Sequence, residues 1–185
     1  MFAWLKRLHA ASAEKAETLA REAATSTITF FSNIEAALGG LPRGLLDDPF
    51  VVGLVSMYAG LVVRIRSDGT APMHVVEAAM IKTVQGIFAS EGCDRLLAIG
   101  ALRKFKDAPE CAAGHRAAEL IFGASLKPKQ YESEPEVQAA KSKLAQMSLA
   151  ERTAMFGSIE SDQVVGVLTQ TLVLDRLASR PEQQR

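Results

Sequence analysis

The sequence predicts an all-α fold: a single compact multi-helix bundle of about 8 helices in an orthogonal or mixed arrangement. Three observations carry that expectation. Apolar residues make up 48% of the chain while aromatics make up only 6%, and alanine is abundant, a mixture that favours helix over strand. Apolar positions recur every third or fourth residue, without convincing two-residue alternation. Short polar residues followed by early prolines mark one helix start after another, because such side chains accept bonds from free backbone N–H groups where proline's missing donor is not needed.

In chain order, the spacing predicts helices near 2–24, 26–38, 48–66, 71–90, 94–106, 108–124, 134–147, 149–156 and 162–179. The first two read equally as one long helix bent around Thr25 to Thr29, where β-branched residues lower helix propensity. Asp48-Pro49, Thr70-Ala71-Pro72, Asp107-Ala108-Pro109-Glu110 and Ser133-Glu134-Pro135-Glu136 are start signals. The last two place Glu three residues after the cap, and so does Ser148-Leu149-Ala150-Glu151, as a capping box requires. Gly39-Gly40, Gly92 and Gly157 mark ends. The stretch Ser125 to Ser133 reads as the longest loop. Phe50 to Ile65 is apolar almost all round and Val164 to Leu177 nearly so, which makes these two helices the expected centre of the core. Both contain a Val-Val-Gly element, at Val51-Val52-Gly53 and Val164-Val165-Gly166. Gly53 and Gly60 share a face, where small residues let a neighbouring helix approach closely. As domains, 1–24 reads as an N-terminal amphipathic helix with the character of an arm, 25–179 as the bundle, and 180–185 as a disordered polar tail.

The charge is balanced, with 21 Lys plus Arg against 21 Asp plus Glu, and acidic and basic residues alternate along the chain. No positive surface is implied to attract a phosphate backbone, so nucleic acid is disfavoured as a partner. Little self-repulsion remains to oppose self-association. Cys93 and Cys111 are too few for a disulfide framework, Met1 to Leu8 lacks the features of a secretory signal, and the longest uncharged run is shorter than a membrane span. A cytoplasmic location is expected.

The chemical motifs are thin. Cys111, His115 and Glu119 form one row on a predicted helix and are the metal-ligand candidates, with Cys93 nearby. A structural zinc site wants four Cys or His ligands at close spacing, so the row weighs toward no metal and no cofactor. Cys111 close to a helix start and His115 one turn on are the candidate nucleophile and base; Glu110 beside the thiol opposes thiolate formation. His74 with Glu77 reads as a solvated pair, and Asp47-Asp48 as a helix cap with a dipole partner. Neither an ExxH pair for a di-iron bundle nor a GxxxxGK[ST] or GxGxxG phosphate loop occurs, and Gly39 to Gly44 reads as an interhelical turn. Arg103-Lys104-Phe105-Lys106 is a basic run at a helix end. Ser148 to Leu168 has a helix-turn-helix outline, but its second helix is apolar and reads as core rather than as a base reader. The Arg66-Ser67-Asp68-Gly69-Thr70 turn resembles the Asp-Gly turns of tellurite-resistance TerB-like helical domains; the acidic residues that follow the turn there are replaced by Ala71, Met73 and His74, and no residue role carries over.

Phe2, Trp4, Leu5 and Leu8 crowd one end of the first helix among Lys6, Arg7 and His9. They are the expected docking residues. The reading ranks closure of the chain's own core first, a protein partner or second copy next, and a membrane interface last. The expected function is therefore non-enzymatic: a helical interaction, adaptor or regulatory protein that self-associates or docks on a protein partner through its N-terminal helix. The alternative is a small-molecule binder or enzyme with an apolar pocket beside Met57, Tyr58 or Cys111, since bundles place ligand sites between helices.

Overall fold

A computed structural model describes Phe2 to Arg180, with side chains from Glu14 onward. Its described residues are helical throughout, with tight turns between elements: α1 (Phe2–Leu38), α2 (Pro49–Arg66), α3 (Met73–Ile87), α4 (Arg95–Phe105), α5 (Pro109–Leu126), α6 (Pro128–Tyr131), α7 (Pro135–Ala145), α8 (Leu149–Phe156), α9 (Glu160–Thr169) and α10 (Asp175–Ala178). The all-α multi-helix expectation holds. Packing groups the chain into two units: residues up to Asn33 with Gly44–His115, and Ile34–Arg43 with the chain from Arg116 onward.

In the first unit α2 is central. Val51, Val52, Leu54, Val55, Ala59 and Val63 are buried, and α2 packs against α3 and α4. Asp48 starts it as expected, its Oδ1 accepting from the amides of Phe50 (2.6 Å) and Val51 (3.2 Å), with Pro49 at the first helical position. Asp94 caps α4 in the same way through Leu97 N at 2.8 Å. Helix α1 is unbroken across Thr25 to Thr29. Thr25, Thr27 and Thr29 each donate their hydroxyl to the carbonyl four residues back, which keeps these β-branched residues inside the helix. Ala20, Ala23 and Ala24 of α1 are buried, and Glu17 and Glu22 pair with Lys82 of α3 and Arg66 of α2 at 2.7 and 2.9 Å. Between α2 and α3, Asp68 (φ 50) and Gly69 (φ 76) both take left-handed conformations, which explains the Asp-Gly pair there. Thr70 does not cap α3: its hydroxyl turns back to Ser67 O at 2.6 Å, and Pro72 occupies the cap position.

In the second unit α9 packs against α7 and α8 and buries Val164, Val167 and Leu168. The helix begins at Glu160 and then widens into a π-turn over Gln170–Leu174 before α10. The expected loop from Ser125 to Ser133 is instead the end of α5 followed by the short α6, because Pro128 sits at a helix-compatible first position. Ser133 and Glu136 do not form the expected capping box. Glu134 takes the cap position without a side-chain bond, and both Glu134 and Glu136 turn to Arg116. The Ser148–Glu151 box is complete in both directions, and Gly157 (φ 85) ends α8.

Candidate functional site: a polar cluster at the α2–α5 crossing

Helices α2 and α5 meet backbone to backbone. A Cβ on Gly53 would lie 2.9 Å from Cys111 Cα and closer still to its carbonyl oxygen. A Cβ on Gly114 would lie 2.7 Å from Leu54 N and closer still to Phe50 O. Only glycine fits at either position without moving a helix. This close approach lowers the next turn of each helix onto the other. Ser56 of α2 thus meets Cys111 and His115 of α5: Ser56 Oγ lies 3.3 Å, and Cys111 Sγ 3.7 Å, from His115 Nε2.

Ser56 donates its hydroxyl proton to Gly53 O at 3.0 Å. That leaves either Nε2–H donating to Ser56 Oγ or the Cys111 thiol donating to Nε2, depending on the imidazole tautomer. Ser56 and Cys111 are buried and His115 is half-buried. On its other side Cys111 joins an apolar cluster with Val52, Ala101 and Phe105. Burial pushes the thiol above its usual range and the imidazole below its own. The pair is therefore a neutral thiol beside a neutral imidazole at neutral pH. A thiolate–imidazolium nucleophile needs the opposite shifts, so the geometry joins the two residues without activating them.

Glu119, third in the predicted row, makes its polar contacts elsewhere. It accepts from Tyr131 Oη at 3.4 Å and pairs with Arg116 at 3.8 Å, in the second unit. Cys93 is buried at the entry to α4, its thiol directed to Asp94 O. Among the described residues no group of three or more His, Cys, Asp or Glu side chains is placed to hold a metal ion. His74 and Glu77 are exposed on α3. Asp47 pairs with Lys104 at 3.0 Å, and Lys104 also lies 4.7 Å from the Phe105 ring centre, so part of the basic run is engaged locally. Tyr58 stacks on Phe30 at 4.4 Å, and burial raises its hydroxyl's pKa. The α9 side chains that a base-reading helix would present are core here. Phe2, Trp4, Leu5 and Leu8 lie outside the residues whose side chains are described.

Sequence reasoning missed Ser56 and Gly114. The signal was available: Gly53 and Ser56 on one apolar helix, and Cys111, Gly114 and His115 on another, are small residues at one-turn spacing, the pattern of a close helix crossing. The helix predicted at 149–156 is α8 as expected, but its lack of any buried residue was not foreseen. Leu149 and Met155 of α8 and Ile159 just beyond it are 69%, 61% and 60% exposed, a concentration of apolar surface in one short stretch.

Among the described residues one helix, Pro49–Arg66, is long and apolar enough to cross a membrane, and 61% of that window is buried within the protein. No family model matches the chain, and neither a characterised protein nor a solved structure matches it.

Proposed function

We propose that this chain is a non-enzymatic helical interaction protein whose partner is a second copy of itself. One observation carries the reading: Leu149 and Met155 of α8 and Ile159 just beyond it are exposed, and no described element covers them. Side chains of this size gain roughly 1.5–3 kcal/mol each when fully buried, so covering them drives association. The balanced charge opposes self-pairing little. The aromatic N-terminal segment with Phe2, Trp4, Leu5 and Leu8 supplies a second apolar contact for the same association. The neutral state of the Cys111–His115 pair, set by burial, supports a role without catalysis. The same reading places the chain in the cytoplasm, consistent with its two free cysteines and with the largely buried surface of α2.

Light scattering tests it. The chain mass is 19.9 kDa, so a dimer scatters as roughly twice that value. Replacing Leu149, Met155 and Ile159 together with Glu returns the protein to a monomer while its helical circular dichroism is unchanged. Removing residues 1–9 weakens association without touching the buried Ala20, Ala23 and Ala24. A wild-type protein that stays at 19.9 kDa over the whole concentration range overturns the proposal.

A further inference from the structure

Helix α4 turns a second apolar surface to solvent, and its charge is the reverse of the charge around α8. Leu96 and Leu97 are 77% and 52% exposed, and Leu96 is the most exposed large apolar side chain among the described residues. No described element covers either. We infer that this face of α4 receives α8 of a second copy of the chain, so that copies meet α4 against α8 rather than α8 against α8. The inference rests on self-association through α8 and names the other half of that contact.

Charge decides which faces meet. From Asp94 to Asp107 the α4 segment carries four bases, Arg95, Arg103, Lys104 and Lys106, against two acids, Asp94 and Asp107. All four bases are exposed. Lys104 is held by Asp47, whereas Arg95, Arg103 and Lys106 enter no ion pair among the described residues. Arg103 lies two turns after Leu96 and therefore on the same face of α4. From Leu149 to Asp162 the α8 stretch carries three acids, Glu151, Glu160 and Asp162, against one base, Arg152. The three acids are exposed and Arg152 is half-buried. Apolar burial is non-directional and would let either face pair with itself. Two α8 stretches in contact would oppose six carboxylates with two guanidinium groups, and two α4 faces would crowd like cations. Like charges brought together in an interface are penalised, while opposite patches are drawn into register. Only α4 against α8 joins the leucines of one copy to Leu149, Met155 and Ile159 of the other with complementary charge around them. The chain is neutral as a whole, yet it carries both members of this pair.

The test is light scattering of two charge-reversed chains, alone and mixed. Arg95→Glu with Arg103→Glu makes the α4 face acidic, and Glu160→Lys with Asp162→Lys makes the α8 stretch basic. Each double variant alone associates about tenfold or more weakly than the wild type, because like charges now meet. An equimolar mixture regains a mass above the 19.9 kDa of one chain, since the acidic α4 of one variant fits the basic stretch of the other. Leu96→Ser with Leu97→Ser, which leaves the charge unchanged, also weakens association. Helical circular dichroism of each variant confirms that it is folded. Wild-type association by the Arg95→Glu, Arg103→Glu chain overturns the α4 pairing and leaves self-association through α8 standing. A mixture that stays at 19.9 kDa does the same. So does a variant whose mass is unchanged while its binding to vesicles of acidic phospholipid is lost, which assigns the α4 face to a membrane. A wild type that never exceeds 19.9 kDa overturns both readings together.

Discussion

Replacing Gly114 with alanine puts a methyl group where α2 already stands. The new carbon would lie 2.7 Å from Leu54 N, whereas ordinary contact starts near 3.4 Å, so that pair must separate by about 3.4 − 2.7 = 0.7 Å and the Phe50 carbonyl by more. Both obstacles are backbone, so no rotamer change relieves them and the two helices must part. Overpacking of this kind costs about 1–3 kcal/mol, with backbone obstacles at the upper end. Alanine recovers about 1 kcal/mol through helix propensity. The net loss is about 2 kcal/mol, which in a chain of this size lowers the melting temperature by about 4–8 °C. Gly100 is the control. It sits exposed within α4, with nothing within 4 Å of its virtual Cβ. There the same substitution gains only propensity, about 0.5–1 kcal/mol, and raises the melting temperature by about 1–4 °C. Thermal unfolding followed by circular dichroism reads both. If Gly114→Ala melts at or above the wild-type temperature, the backbone contact between α2 and α5 is wrong.

Two further outcomes follow from the helix starts. Asp48→Ala removes the acceptor for two amides at the head of the central helix and costs about 1 kcal/mol, measured by chemical denaturation; Asp48→Asn, which keeps the acceptor, recovers most of it. The bonds from the Ser148 hydroxyl, and then from its backbone, hold the Glu151 carboxyl below the ordinary glutamate range. A depressed carboxyl stabilises the fold when ionised, so its contribution is complete at neutral pH and fades as pH falls through the acid range. Melting curves of the wild type and Glu151→Gln therefore differ at pH 7 and converge toward pH 3; a constant gap contradicts the capping box.

The readable part of this fold was set by local chemistry. Asp48, Asp94 and Ser148 accept bonds from amides within three residues, so their helix starts appear in the sequence as short patterns. The apolar runs that mark α2 and α9 as core are likewise local. What the sequence hid depends on distant partners. Glu136 has the spacing of a capping box, but Arg116, twenty residues earlier, claims it together with Glu134. Glu119 lies in the row of Cys111 and His115, but Tyr131 and Arg116 draw it away. Ser56 joins His115 across fifty-nine residues, only because Gly53 and Gly114 let their helices touch. No local window contains that meeting. The exposed apolar surface of α8 was hidden for a different reason: only the tertiary packing shows that none of its residues is buried.

The contact between α2 and α5 underlies the polar cluster of Ser56, Cys111 and His115, and an isotope-edited nuclear Overhauser experiment reads it directly. The account predicts strong cross-peaks from the Gly114 α-protons to the Leu54 amide proton, since a carbon in that α-proton's direction would stand 2.7 Å from the Leu54 nitrogen. Assigned spectra in which Gly114 shows cross-peaks only to residues of its own helix would contradict it.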